Sequence, residues 1–88
     1  ITDDGGVRMI IDPSGHISPG GAGTQDFGID SRRWRNIYTS DLQMSNIDTG
    51  GNDVDGTEGS WTIQEGDENL FVINRVTGKK FKMNLTEV

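Results

Sequence analysis

Glycine occurs thirteen times in this chain, while alanine occurs once and leucine three times. That imbalance decides the fold class. Helices draw on Ala, Leu and other unbranched residues, and each interior Gly weakens them by about 1 kcal/mol. A helix bundle is excluded, and the expectation is an all-β chain of short strands joined by glycine-rich turns. Cysteine is absent, so neither a disulfide framework nor a thiolate metal site is available. No run of ~18 apolar residues exists to span a membrane as a helix.

The apolar content is thin. Ile, Val, Leu and Phe supply 20 of the 88 residues, close to the ~20% level below which chains tend to stay unfolded. Small domains with weak cores lean on disulfides, metals or partner subunits, and here partner subunits are the route left open. A formal charge of −6 argues against nucleic acid and anionic membranes, which reward basic surfaces. The chain opens at Ile1 rather than Met, as a fragment or trimmed chain would.

Hydrophobic periodicity divides the chain into three segments of one small domain: residues 1–46, 47–59 and 60–88. In the first, Val7, Met9 and Ile11 alternate with Arg8, Ile10 and Asp12, predicting a half-buried strand. Pro13-Ser14-Gly15 supplies a turn, and His16 and Ile17 begin the return strand of a hairpin. Residues 18–28 read as a loop, with Phe27 and Ile29 as its anchors. Ser31 is a fair helix N-cap, which predicts one helical turn over 32–36. The β-branched and aromatic Ile37-Tyr38-Thr39 then turn the chain to strand, and Leu42 and Met44 alternate with polar neighbours. The second segment is a polar loop with four Gly and four acidic residues between Asp48 and Gly59. The third predicts a three-stranded meander: 60–65 and 80–85 alternate, and 70–73 is apolar on both faces, as a central or subunit-facing strand would be.

Candidate sites are sparse. Asp53-Val54-Asp55-Gly56 suggests a calcium loop, but with Gly56 at the sixth position the first and twelfth ligands become Gly51 and Thr62, and no helices flank it. A solvated loop is the better reading. Asp26-Phe27-Gly28 lacks every companion motif of a kinase, and the Gly20 run lacks the ending of a phosphate loop. His16 is the sole histidine and sits after a turn, a surface position without a triad around it. Glu65, Asp67 and Glu68 share one hairpin loop, whereas glycosidase carboxylates must flank a sugar. The Asn84-Leu85-Thr86 sequon is a chance match within a strand. No catalytic, cofactor or metal site is expected.

One basic-aromatic cluster stands out: Arg32, Arg33, Trp34, Arg35 and Tyr38. It admits a base-stacking reading and a plainer one, in which Trp34 anchors a core or interface and its arginines face acids. The acidic balance of the chain favours the plainer reading. Between Asp41 and Glu68 there are eight acidic residues and no basic one, while 32–35 and 75–82 hold seven of the eight basic residues. Such segregation suits contacts between neighbouring subunits. Trp34, Tyr38 and Trp61 also have the ring chemistry of a sugar-stacking platform, although large aromatics more often serve cores and interfaces. The candidate receptor or interface residues are therefore Arg33, Trp34, Arg35, Tyr38 and Trp61.

The stretches VRMIIDPSGHI and DFGIDSRRWRNIYTSDLQMSN resemble the repeat modules of bacteriophage tail fibres. The remainder, DGTEGSWTIQEGDENLFVINRVTGKKFKMNLTEV, resembles the C-terminal module of structural proteins from marine phages, including cyanophages. Phe27 stands where that pattern often has Leu, and Ile29-Asp30 replace small polar residues. Nothing matches the self-cleaving helical chaperone that ends many such fibres. The resemblance implies a non-catalytic virion protein, assembled in the bacterial host cytoplasm and intertwined as a homotrimer. Its partners would be its own copies, other virion proteins and a host-surface glycan or protein. The alternative is a carbohydrate-binding or carbohydrate-active domain of a tail spike.

Overall fold

The computed structural model describes the backbone of residues 2–3 and 6–88, and side chains from Gly6 onward. The described residues contain eight strands and no helix, with every ladder antiparallel. The chain is all-β. It divides into two compact units, Ile1–Ile37 and Tyr38–Val88.

In the first unit, β1 (Thr2–Asp3) pairs with β2 (Gly6–Val7), and β3 (Met9–Ile11) pairs with β4 (Ile17–Pro19). The single strand expected over 7–12 is therefore broken at Arg8, whose carbonyl accepts from Gly20 N at 2.9 Å. That approach requires glycine, because a Cβ on Gly20 would collide with the Val7 carbonyl oxygen. The β3–β4 turn forms as its residues dictate. Gly15 N donates to Asp12 O at 2.9 Å, and Gly15 adopts φ 85°, a conformation disfavoured for residues with a Cβ. Asp12 Oδ1 accepts from Ser14 N and His16 N, both at 2.9 Å. His16, exposed on this turn, sits 3.3 Å from the other Asp12 oxygen.

The helical turn expected at 32–36 does not form, nor does a strand at 37–39. Asp30-Ser31 instead make a tight reversal in which Ile29 N donates to Arg32 O at 3.2 Å and Arg32 N to Ile29 O at 3.0 Å. Asp and Ser offer the backbone such alternatives to helix. A single helical turn carries the full nucleation cost with nothing to propagate it.

The second unit is one four-stranded sheet in the order β5 (Leu42–Ser45), β6 (Ser60–Glu65), β7 (Leu70–Asn74), β8 (Lys80–Lys82). The expected meander is present and gains β5, which pairs Leu42 with Ile63 and Met44 with Trp61. β8 ends at Lys82 rather than Leu85 because Met83 N to Leu70 O, at 3.0 Å, already reaches the first residue of β7. Asn74 caps the β7–β8 turn, its Oδ1 accepting from Val76 N at 3.0 Å, and Gly78 turns with φ 78°.

Register sets two sides to this sheet. One carries Leu42, Met44, Trp61, Ile63, Glu65, Leu70, Val72, Asn74 and Phe81; the other carries Gln43, Ser45, Ser60, Thr62, Gln64, Phe71, Ile73, Lys80 and Lys82. The buried core is minimal: among the described residues only Thr62, 2% exposed, and Ile73, 8% exposed, are buried. They are cross-strand partners on the second side. The Thr62 hydroxyl donates to Gln43 Oε1 and accepts from Arg75 Nε at 2.8 Å. Among the described residues, no buried side-chain nitrogen or oxygen lacks a partner.

Candidate functional site

Two surfaces stand out by chemistry, one in each unit. The first is the apolar side of the sheet. Strand alternation brings Leu42, Met44, Trp61, Ile63, Val72 and Phe81 onto it, and Leu42, Met44 and Phe81 each leave nearly half their surface exposed. Trp61 and Phe81 reach across β7 with ring centroids 5.8 Å apart and planes tilted by 41°. A sheet buries one face against another layer in stable architectures. Among the described residues of the unit no second sheet packs on this side, and only the loop 46–59 borders it.

The loop 46–59 borders that side and is held in one shape by its own bonds. Asn46 exchanges bonds with Gly59, N to O at 3.1 Å and Gly59 N to Oδ1 at 2.7 Å. Gly51, at φ 95°, lies where a Cβ would strike the Gly56 carbonyl. Asp55 Oδ1 accepts from Thr57 N at 3.0 Å, Thr57 Oγ1 at 2.8 Å and Asn52 Nδ2 at 2.8 Å. The Thr57 backbone bond foremost, then the side-chain bonds, hold the Asp55 carboxyl below its ordinary pKa. Its charge serves the loop's own backbone. A shallow hollow joins the loop to the sheet, lined by Met44, Asn52, Thr57, Glu58, Trp61 and Val72 among others.

The second surface is an aromatic stack in the first unit. Phe27 and Trp34 lie with ring centroids 5.0 Å apart and planes 20° apart. The Ile29–Arg32 reversal returns the chain to make this contact. Gly28, at φ 94°, fits beneath the indole, since a Cβ there would lie 3.3 Å from Trp34 Cδ1. The stack is open to solvent, with Phe27 74% and Trp34 60% exposed. Asp26, Asp30, Arg33 and Arg35 line the same shallow hollow.

The residues singled out in the sequence fall in both units. Arg33, Trp34 and Arg35 share the stack's hollow, and Trp34 is not a buried core residue of the single chain. Among the described residues the one ion pair is His16–Asp12; Arg33 and Arg35 share their hollow with Asp26 and Asp30 without an ion pair closer than 4.0 Å. Tyr38 opens the second unit and is 93% exposed. Trp61 lies half-buried on the apolar side of β6. The ring partners are Phe27 for Trp34 and Phe81 for Trp61. Phe81 and Leu42 were missed as site residues, although carrying the period-2 pattern across strands places both beside Trp61 and Ile63.

Comparison with protein-family models, curated proteins and solved structures finds no match to this chain. Among the described residues no helix is long and apolar enough to cross a membrane.

Proposed function

We propose that this chain is a structural, non-catalytic module of a phage tail fibre or related virion protein, forming a homotrimeric segment or tip used in host attachment. The observation that carries the self-association is the part-exposed apolar side of the β5–β8 sheet. Obligate assemblies have interfaces that resemble a domain core cut in half, and seven side chains of that type, Leu70 included, stand on one side of a single layer. The sequence resemblance to fibre modules supplies the virion setting and the count of three. Other virion proteins and a host-surface glycan or protein are the further partners under this reading. Three copies would multiply a weak receptor contact through avidity.

Solution mass tests it. Light scattering or sedimentation of the chain should give three times 9.6 kDa. A 9.6 kDa species with a cooperative unfolding transition would overturn the reading.

The exposed Phe27–Trp34 stack favours a second reading, a carbohydrate-binding or carbohydrate-active domain of a tail spike, because open aromatic faces stack on sugar rings. Titrating host-surface glycan against Trp fluorescence tests binding, and release of new glycan ends tests activity. A silent titration with no released ends removes this alternative.

A further inference from the structure

We propose that copies of this chain join edge to edge into a closed ring, with Lys82 of one copy beside Asp41 of the next and the apolar side of each sheet turned inward. This rests on the self-association reading above and names the surface that carries it.

The strand order leaves β5 and β8 as the two edges of the sheet, and an unpaired edge is a template for pairing with another chain. The edges differ in charge. β8 and its approach bring Lys79, Lys80 and Lys82, whereas the β5 edge brings Asp41. Two β5 edges would set acid against acid, and two β8 edges lysine against lysine. The favourable contact is between unlike edges, which is heterologous and closes into a ring rather than a two-fold dimer when the rotation permits.

Strand direction agrees. Each of the three successive ladders is antiparallel, so β5 and β8 run in opposite senses. Rotating a copy about an axis along the strands lays β8 antiparallel to the next β5, continuing the same ladder pattern. For copies joined without stagger, register then selects the pair. Phe71 stands opposite Lys82 and Gln64 opposite Phe71, and Leu42 opposite Ile63 puts Asp41 level with Gln64. Asp41 Oδ2 indeed accepts from Gln64 Nε2 at 3.1 Å. Asp41, Gln64, Phe71 and Lys82 thus form one row across the sheet, acidic at one end and basic at the other.

That row lies on the polar side, which decides which side faces inward. Enclosing the polar side would desolvate Lys80, Lys82 and Arg75, a cost that Coulomb attraction seldom recovers. Enclosing the other side buries Trp61, Ile63, Leu70, Val72 and Phe81, with Glu65 at the last residue of β6 and Glu58 in the bordering loop as its carboxylates, and leaves the Lys82–Asp41 seam wetted on the outside.

The test uses three variants of the full chain, Lys82→Glu, Asp41→Lys and the two combined, measured by sedimentation over a concentration series. Both positions are exposed, so the fold of each copy should survive, and circular dichroism checks that it does. Each single reversal should raise the half-assembly concentration at least tenfold, and the combination should restore it. If the native chain assembles while the single reversals leave the midpoint unmoved, or the combination fails to restore it, the ring-edge contact is wrong and self-association stands. A native chain that stays at 9.6 kDa overturns the assembly reading itself.

Discussion

Thr62→Val probes the one place where the sheet buries a polar group. Thr62 is 2% exposed and its hydroxyl makes two bonds, donating to Gln43 Oε1 and accepting from Arg75 Nε at 2.8 Å. Valine keeps the shape and removes both. A neutral hydrogen bond is worth about 1 kcal/mol net, and one to a charged donor about 1.5–3 kcal/mol. Arg75 and Gln43 are exposed and recover water in the variant, so the lower end applies, about 2 kcal/mol in all. A domain of this size loses roughly 4–8 °C of Tm per kcal/mol, which places the expected fall at about 8–16 °C. Thr62→Ser retains the hydroxyl and gives up one methyl, about 1 kcal/mol, and should lie between native and valine. Pairing Thr62→Val with Arg75→Met in a double-mutant cycle isolates the Arg75 bond, with a coupling of about 1 kcal/mol. The assay is thermal unfolding at fixed chain concentration, since assembly makes Tm concentration-dependent. Thr62→Val at or above native Tm, with no coupling to Arg75, would refute the claim that this hydroxyl stabilises the sheet.

Gly20→Ala should break the first hairpin, because its Cβ would meet the Val7 carbonyl backbone; loss of amide-exchange protection at Arg8–Ile11 with β5–β8 intact is the expected pattern. Gly15→Ala meets nothing within 4 Å but keeps φ 85°, so it should cost only about 1–2 kcal/mol, read as a modest Tm loss. Asp55 has a depressed carboxyl pKa; its contribution is therefore present above the unfolded-state value and lost as pH falls through the folded one. The Thr57 amide resonance, followed by NMR, should hold steady down to the ordinary aspartate pKa of 3.8 and shift below it. A shift centred above that value would contradict the bonding described. Phe27→Ala should cost about 0.5–1.5 kcal/mol through loss of the stack and red-shift Trp emission as the Trp34 indole becomes wetter.

What was legible in the sequence follows the range of the signal. Period-2 alternation in Trp61–Ile63 and Phe81 is local and strong, so those strands were placed from the residues alone. So was the Asp12–Gly15 turn, whose chemistry lies within four residues. The extent of β8 was not, because it depends on where β7 begins, a partner's property. Arg32–Asn36 failed for a related reason. Ser31 can cap a helix or shape a turn, and the choice went to the Ile29–Arg32 bonds, which no propensity sum contains. The Phe27–Trp34 stack was equally hidden, since it needs φ 94° at Gly28, a backbone choice that glycine permits without announcing.

The sheet separates what specifies its register from what would stabilise it. Its ladders and turns have their hydrogen bonds made, and Asn46, Asn52, Asn74 and Asp55 tie the connections. Yet bonds of that kind return only about 1 kcal/mol each after water is counted, against about 1–2 kcal/mol of backbone entropy per ordered residue. Apolar burial has to supply the difference, and within one copy Ile73, 8% exposed, is the only buried apolar side chain among the described residues. The part-exposed apolar side of β5–β8 is where more can come from. Under the proposed assembly, the stability of this sheet should therefore rise steeply with chain concentration, while the Asp12–Gly15 hairpin, whose bonds are local, should respond far less. Residue-resolved amide exchange at two concentrations separates the two. Equal responses in hairpin and sheet would mean that the apolar side is not where copies meet.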